Sequence, residues 1–328
     1  MKNKSILVTG GAGYVGSHIN KQLNKMGYQT VVVDSLIRGN KKLIKWGNFE
    51  KVCLSDKTKI EKIFSKYEFS TVMHFAAFAY VEESIFDPAS YYQNNVSNTI
   101  NLLNTMIKYD VKNFIFSSSC ATYGIPTILP ISEKTPQLPI SPYGKSKKIV
   151  ENLLYDYDEA YNLKYISLRY FNAAGCDPEC EIGEIHQPET HLIPRVIEAA
   201  LYNKSFTIYG NDYETKDGTC VRDFVHVNDL ASAHFRAMKY LKKYNISDSF
   251  NIGTGSGYTI KEVVECVEKI LNKKINIIFS KKRKGDPAEL FSINEKAISK
   301  LDWRPEYIDL EEIVQSAINW SIKLNNIE

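Results

Sequence analysis

The segment Ser141-Pro-Tyr-Gly-Lys-Ser-Lys147 places a tyrosine and a lysine four residues apart. On a helix, that spacing puts both side chains on one face. A tyrosine with an ordinary pKa of about 10 is a poor base at neutral pH. A neighbouring ammonium favours the phenolate, which can then take a proton from a hydroxyl group. The chain has 21 tyrosines and this is its one Tyr-x-x-x-Lys, so the spacing alone carries little weight. The competing reading is a tyrosine packed at a helix start beside a solvated lysine. Position in the fold decides between them.

A second chemical segment is Thr9-Gly-Gly-Ala-Gly-Tyr-Val-Gly-Ser-His18. Gly10, Gly13 and Gly16 follow an apolar run and open a helical pattern. Glycines there permit a tight turn and close approach of the backbone to a pyrophosphate. The helix N-terminus adds free N–H groups and a favourable dipole. Asp34 ends the next apolar run, eighteen residues after Gly16. Its carboxylate suits the ribose hydroxyls of adenosine and repels a 2′-phosphate, which favours NAD over NADP. Arg38 lies nearby and weakens that preference. Asp56 is either an adenine contact or a plain loop aspartate.

The elements that must position these groups are legible. Residues 5–10, 29–34, 71–77, 113–119 and 164–171 are short apolar runs that read as strands buried on both faces, with 48–54 a weaker sixth. Helical patterns over 16–26, 89–109 and 144–161 separate them. The alternation predicts an α/β fold: a doubly wound parallel sheet of Rossmann type over residues 1–171. After Asn172 the rhythm changes. Residues 173–220 are rich in Pro, Gly and acidic residues with few regular strands, which predicts a smaller C-terminal α/β substrate domain over 172–328. Residues 249–253 read as a strand returning to the first sheet, within a return near 222–253. Amphipathic helices are expected near 259–271 and 310–324. Ligands of such a sheet bind at the carboxyl ends of its strands. Ser117-Ser-Ser-Cys-Ala-Thr-Tyr-Gly124 ends one strand, and Pro142 suits the start of the helix carrying Tyr143 and Lys147. Ser119, Tyr143 and Lys147 are thereby expected to meet.

The bulk numbers restrict the classes. The chain has 328 residues, 44% hydrophobic and 24% charged, with a net charge of +3. Mixed signs argue against a nucleic-acid partner, and the basic run at residues 281–284 stands alone. No apolar stretch reaches membrane-spanning length, and the N-terminus lacks the pattern of a signal peptide. Six scattered cysteines read as reduced thiols in a cytoplasmic protein.

With Thr9–His18, residues 74–77 (His-Phe-Ala-Ala), 117–124, 141–147, 169–175 (Arg-Tyr-Phe-Asn-Ala-Ala-Gly) and 218–230 quoted together, the chain resembles the extended short-chain dehydrogenase/reductases. Residues 208–224 and 282–290 narrow the resemblance to the UDP-glucose 4-epimerase family. It runs over essentially the whole chain. It implies NAD as cofactor, a UDP-sugar as substrate and reversible inversion at sugar carbon 4. The implied catalytic set is Ser119, Tyr143 and Lys147. Around NAD it implies Gly10, Gly11, Ala12, Gly13, Tyr14, Val15, Gly16, Asp34, Ser35, Asp56, Phe75, Ala76, Ala77, Asn94, Ser117, Tyr143, Lys147 and Phe171. For the UDP-sugar it implies Ser119, Tyr143, Asn172, His191, Leu192, Thr207, Tyr209, Arg222, Arg283, Asp286 and Leu290. Arg222 and Arg283 suit a pyrophosphate because guanidinium groups grip phosphate oxygens in a fork.

Several positions depart from the family pattern. Ala79 stands where some members carry lysine, and His191 replaces an asparagine found in some. Leu290 is intermediate in size at a position that limits the sugar, which leaves N-acetylated sugars open. Residues 75–84 and 117–124 also resemble plant UDP-arabinose/xylose 4-epimerases, which leaves a pentose open. A 4,6-dehydratase would need an Asp-Glu pair where Cys120 and Ala121 stand. A non-catalytic NAD-binding regulator would be expected to lose the Tyr-Lys pair. Cys176, Cys180, His186 and His191 lie within sixteen residues, but their spacing is not a standard pair of zinc-ligand turns, and no metal is expected. A homodimer through the helices at 89–109 and 144–161 is implied by the resemblance.

Overall fold

The structure, a computed structural model, describes residues 4–283 and 286–325. Its centre is a sheet of seven strands: β1 Ser5–Thr9, β2 Thr30–Asp34, β3 Asn48–Lys51, β4 Phe69–His74, β5 Asn113–Ser119, β6 Lys164–Tyr170 and a last strand, Asp248–Ile252. In space they run Asp248–Ile252, β6, β5, β4, β1, β2, β3, and every pairing is parallel. The order reverses between β1 and β4, where the carboxyl ends open a crevice.

The period of two in these strands divides the core. Ile6 and Val8 of β1 pack on one face with Met73, Ile115 and Leu168, beneath the helices Tyr14–Lys25 and Val227–Tyr244. Leu7 packs on the other with Val31, Val33, Val72, Phe114 and Phe116, beneath Lys57–Lys66, Asn98–Lys108 and Pro142–Tyr161. Both faces are covered, which is why the strand sequences are almost continuously apolar.

A second lobe has its own core. The helices Leu192–Leu201, Ile260–Leu271 and Leu310–Asn325 gather Ile193, Val196, Val263, Val264, Ile313 and Val314 around Phe206 and Ile208.

Several expectations are corrected. Residues 75–77 leave β4 as a loop at the crevice, and β3 ends at Lys51 rather than 54. The single helix expected over 89–109 is three pieces: Pro88–Tyr92, a π-helical turn Gln93–Ser97, and Asn98–Lys108. Residues 173–220 are more regular than expected. They hold the helix Leu192–Leu201 and the strand Ser205–Tyr209, which pairs in parallel with Asn276–Ser280. That strand pairs with a segment about seventy residues on, so no local hairpin signal marks it. The helix Val227–Tyr244 returns to the sheet beside Tyr14–Lys25 and leads into Asp248–Ile252. Among the described residues, no helix is long and apolar enough to cross a membrane.

Candidate active site

The crevice is framed first by the glycine turn. Gly10 has φ +72°, and a Cβ there would lie 2.5 Å from the Ala76 nitrogen. A Cβ on Gly16 would lie 2.3 Å from the Gly10 oxygen, and one on Gly11 would press on Val32. These three close the turn against strand, loop and helix. Gly13 differs: a Cβ there would meet only the Gly10 oxygen, at 3.2 Å, so this residue borders open space. No side chain caps the helix Tyr14–Lys25, which leaves its first N–H groups to an anion. The turn therefore fits a dinucleotide pyrophosphate.

Asp34 secures the turn from the end of β2. Its two carboxylate oxygens accept the N–H groups of Ala12 at 3.0 Å and Leu36 at 2.8 Å. Burial pushes its carboxyl up, and these two bonds pull the other way. Each oxygen keeps a lone pair for a ribose hydroxyl. Arg38 turns away from Asp34, pairs with Glu83 at 2.5 Å and lies over the Tyr80 ring at 5.1 Å. The Ser35 hydroxyl accepts the Ile37 N–H. Asp56 caps the helix Lys57–Lys66, accepting the Lys59 N–H at 3.0 Å. Tyr14 donates its hydroxyl to the Gly175 carbonyl at 2.5 Å, so that phenol is committed within the protein, and Val15 packs on the core. The loop leaving β4 carries Phe75, whose ring lies 4.7 Å from that of His234, then the half-buried Ala76 and Ala77.

The proton-transfer candidates meet at the end of β5. Ser141 caps the helix Pro142–Tyr161 by accepting the Gly144 N–H at 3.1 Å, with Pro142 in the first turn. Tyr143 and Lys147 are both buried. Lys147 donates from Nζ to the Ser117 carbonyl at 2.8 Å, and Nζ lies 5.8 Å from the centre of the Tyr143 ring. Burial pushes the Tyr143 phenol well above its usual range, with the Ser119 hydroxyl bonding in the opposite sense. Burial also lowers Lys147 to about 7, against the pull of Glu151. The protein alone thus moves both groups toward their neutral forms, the reverse of the direction read from their spacing. The reason is the low dielectric of the buried site, which penalises either charge. Ser117 also bonds through its hydroxyl to Tyr170 at 2.5 Å, and Phe171 is buried beside this site in the core.

The remaining expected residues fall into three groups. Arg222 lies in the strand Val221–Arg222, in register with Leu290 of Glu289–Leu290. Its guanidinium donates to the carbonyls of Val221 and Pro287, both at 2.9 Å, and lies 3.6 Å from Asp286. The Asn172 amide donates to the Asp223 carbonyl at 3.0 Å. The second group is Thr207 and Tyr209 on Ser205–Tyr209, with the exposed Arg283 guanidinium 3.9 Å from the centre of the Tyr209 ring. Lys284 of the basic run, and Gly285 after it, lie outside the described residues. Leu192 begins the helix Leu192–Leu201 and His191 immediately precedes it.

With this geometry, comparison with known proteins is direct. The model of the NAD dependent epimerase/dehydratase family matches residues 6–253. The chain belongs to that family. The UDP-glucose 4-epimerase of Rhizobium meliloti strain 1021 is 46% identical over 326 residues, 99% of each chain. UDP-arabinose 4-epimerase 1 of Arabidopsis thaliana is 41% identical over 330 residues, 96% of this chain and 78% of the relative. The crystal structure of the UDP-glucose 4-epimerase of Brucella ovis in complex with NAD is 45% identical over 96% of this chain and 98% of that one, with a TM-score of 0.94.

Some residues that shape the site were missed in the sequence. Asn94 was named, but its neighbour Asn95 is the clamp. Asn95 accepts the Phe78 N–H at 2.8 Å and donates to the Phe78 carbonyl and the Ser146 hydroxyl, both at 3.0 Å. It joins the loop leaving β4 to the helix of Tyr143. Asn94 donates to Asn95 at 3.0 Å. The Cys176–His191 segment also divides differently. Cys176 and Cys180 lie 3.7 Å apart sulfur to sulfur. His186 and His191 instead gather with Glu184 and Glu189, their ligand atoms within 4.8 Å of one another. Glu184 had no distinguishing sequence signal, because a lone glutamate in a loop is ordinary.

Proposed function

We propose that this protein catalyses the reversible 4-epimerisation of a UDP-hexose, UDP-glucose to UDP-galactose. The observation that carries the proposal is the convergence of Ser119, Tyr143 and Lys147 beside the glycine cradle. Whole-chain likeness to UDP-glucose 4-epimerases supports it.

Gly10, Gly11, Ala12, Gly13 and Gly16 would hold the NAD pyrophosphate, and Asp34 its adenosine ribose. Bound NAD supplies the hydride acceptor and then the donor at sugar carbon 4. Tyr143 takes the proton of the 4-hydroxyl at its phenolic oxygen, and Ser119 holds that same hydroxyl. The Lys147 ammonium favours the phenolate when both are charged together, and its bond to Ser117 fixes its distance from Tyr143. Arg222 and Arg283 anchor the diphosphate while the 4-keto sugar turns over, with Leu290 limiting its size. Tyr143 then returns the proton to the 4-oxygen once the opposite face of carbon 4 is turned to the cofactor, so that the centre inverts. In this reading residues 1–171 with 222–253 hold NAD, and 172–328 hold the UDP-sugar. The buried Cys120 thiol, pushed up to about 12 by burial, and Ala121 cannot supply the acid–base step of a dehydratase.

A pentose is the second reading, favoured by the likeness to the plant arabinose epimerase. We also propose a homodimer working in the cytoplasm. Ile149, Tyr155 and Tyr161 are exposed apolar residues along the helix Pro142–Tyr161, and a monomer mass by light scattering would reject the dimer. The function is tested by incubating the purified protein, without added NAD, with UDP-glucose and separately with UDP-xylose. NMR of the products is expected to show the 4-epimer of glucose forming faster. No conversion even with added NAD rejects the reading.

A further inference from the structure

Between the strand Asn172–Ala174 and the helix Leu192–Leu201, one carboxylate gathers two histidines. Glu184 Oε1 faces Nδ1 of His186 at 3.0 Å and pairs with Nδ1 of His191. Glu189 Oε1 lies 3.6 Å from the same nitrogen of His186 and accepts the N–H groups of Thr190 and His191 at 2.7 and 2.8 Å. The arrangement is layered. The Glu184 side chain is 6% exposed and that of His191 is 41% exposed, so the carboxylate is inside and the imidazole edge outside. Nδ1 of His191 bonds the carboxylate, whereas Nδ1 of His186 lies close to it without hydrogen-bond geometry, and each ring is left to present Nε2.

The cluster lies against the loop that leaves β4. The His186 ring meets the Tyr80 ring edge-on at 5.7 Å, on the loop leaving β4. Tyr14, the first residue of the glycine-turn helix, feels the charges of Glu184 and Glu189. The groups around the two imidazoles are therefore Glu184 and Glu189 from the loop itself, Tyr80 from the β4 exit and Tyr14 from the first helix. A further anion-facing feature adjoins them: the helix Leu192–Leu201 starts at His191 with no side-chain cap.

We propose that Glu184 is a positioning residue, which holds His186 and His191 so that their Nε2–H edges bind the diphosphate of the nucleotide sugar. This rests on the reading of the site as one for a UDP-sugar. An anion is best bound by donors that are ordered before it arrives. An unaided imidazole is largely neutral above pH 7. A buried carboxylate on Nδ1 fixes the tautomer and favours the charged ring.

The test compares wild type with Glu184→Gln and His186→Gln, each checked by thermal unfolding and for NAD content. UDP and uridine binding are measured by calorimetry, and epimerisation of UDP-glucose by NMR, at pH 6 and pH 8. In Glu184→Gln at pH 8, the Kd for UDP and the KM for UDP-glucose are expected to rise roughly tenfold, the scale of one lost charge-assisted hydrogen bond. Turnover stays within about twofold because the proton-transfer groups are untouched. The defect shrinks at pH 6, where imidazole protonates without help, and uridine binding does not change. Unchanged UDP affinity in both folded variants overturns the positioning role and leaves the epimerisation standing. An inactive wild type overturns the epimerisation, and the Kd for UDP still decides the role of Glu184. If both variants fail to fold, or if stoichiometric zinc is found on the wild type, the cluster is a structural or metal centre and the proposal is rejected.

Discussion

Lys147 donates from Nζ to the Ser117 carbonyl at 2.8 Å, and so ties the helix that carries Tyr143 to the strand that ends in Ser119. The bond spans thirty residues of chain and sets how far the phenol stands from the serine hydroxyl. It also gives a buried lysine a fixed acceptor, which keeps its Nζ in place whether or not it carries a proton.

Removing the phenolic oxygen tests this arrangement. In Tyr143→Phe, kcat for UDP-glucose is expected to fall by about 10²–10⁴, the usual yield of a positioned general base. KM is expected to stay within a few-fold, since UDP is held elsewhere. NMR time courses measure both, and full activity in the variant rejects the mechanism.

The glycines separate folding from binding. A Cβ on Gly16 would strike the Gly10 oxygen at 2.3 Å, so Gly16→Ala is expected to lower Tm by several degrees and to purify without NAD. A Cβ on Gly13 borders open space, so Gly13→Ala is expected to fold normally and bind NAD more weakly. Calorimetric unfolding and NAD absorbance distinguish the two. Equal Tm losses would show that Gly13 is also a packing position.

Leu290 sits in register with Arg222 and packs on the core that includes Cys120 and Phe171. Leu290→Ala is expected to raise the kcat/KM for UDP-N-acetylglucosamine relative to UDP-glucose, on the order of tenfold, the scale of removing a few methyl groups from a pocket wall. An unchanged ratio would move the size limit to another residue.

The Glu184 cluster gives a pH signature in stability. Burial opposes its charges, but His191 and His186 hold Glu184 down at about 2, and Glu184 with Glu189 pushes His186 up to about 10. A raised histidine stabilises fully below its unfolded value of about 6.5, and loses that contribution as pH climbs toward 10. A depressed glutamate stabilises above its unfolded value of about 4.3, and loses that contribution as pH falls toward 2. The stability difference between wild type and Glu184→Ala is therefore expected to be greatest near pH 5.5 and to shrink by pH 8 and again by pH 10. Urea unfolding at those three values measures it. A difference that does not vary with pH would remove the charges from the account.

Much of the site was legible because its signals are local. The glycine turn is written in ten consecutive residues, since strand, turn and helix start are neighbours in the chain. Pro142, Tyr143 and Lys147 declare a helix start with two groups on one face, and Ser119 marks a strand end. The return to the sheet was also visible, read at residues 249–253 and found at Asp248–Ile252. Other features had no such signal. Asp56 was open between adenine contact and loop residue, and the structure uses it as a helix cap. Ser205–Tyr209 looked irregular because its pairing partner begins at Asn276. By itself, then, the sequence determined the elements, the glycine turn and the placing of Tyr143 and Lys147 on one helix face, all of which depend on spacing within a strand or helix. Tertiary structure alone decided that Asn95 clamps the Phe78 loop to the helix of Tyr143, that Glu184 collects two histidines, and that burial drives Tyr143 up and Lys147 down. Those depend on which distant residues meet, and on how little water remains around them.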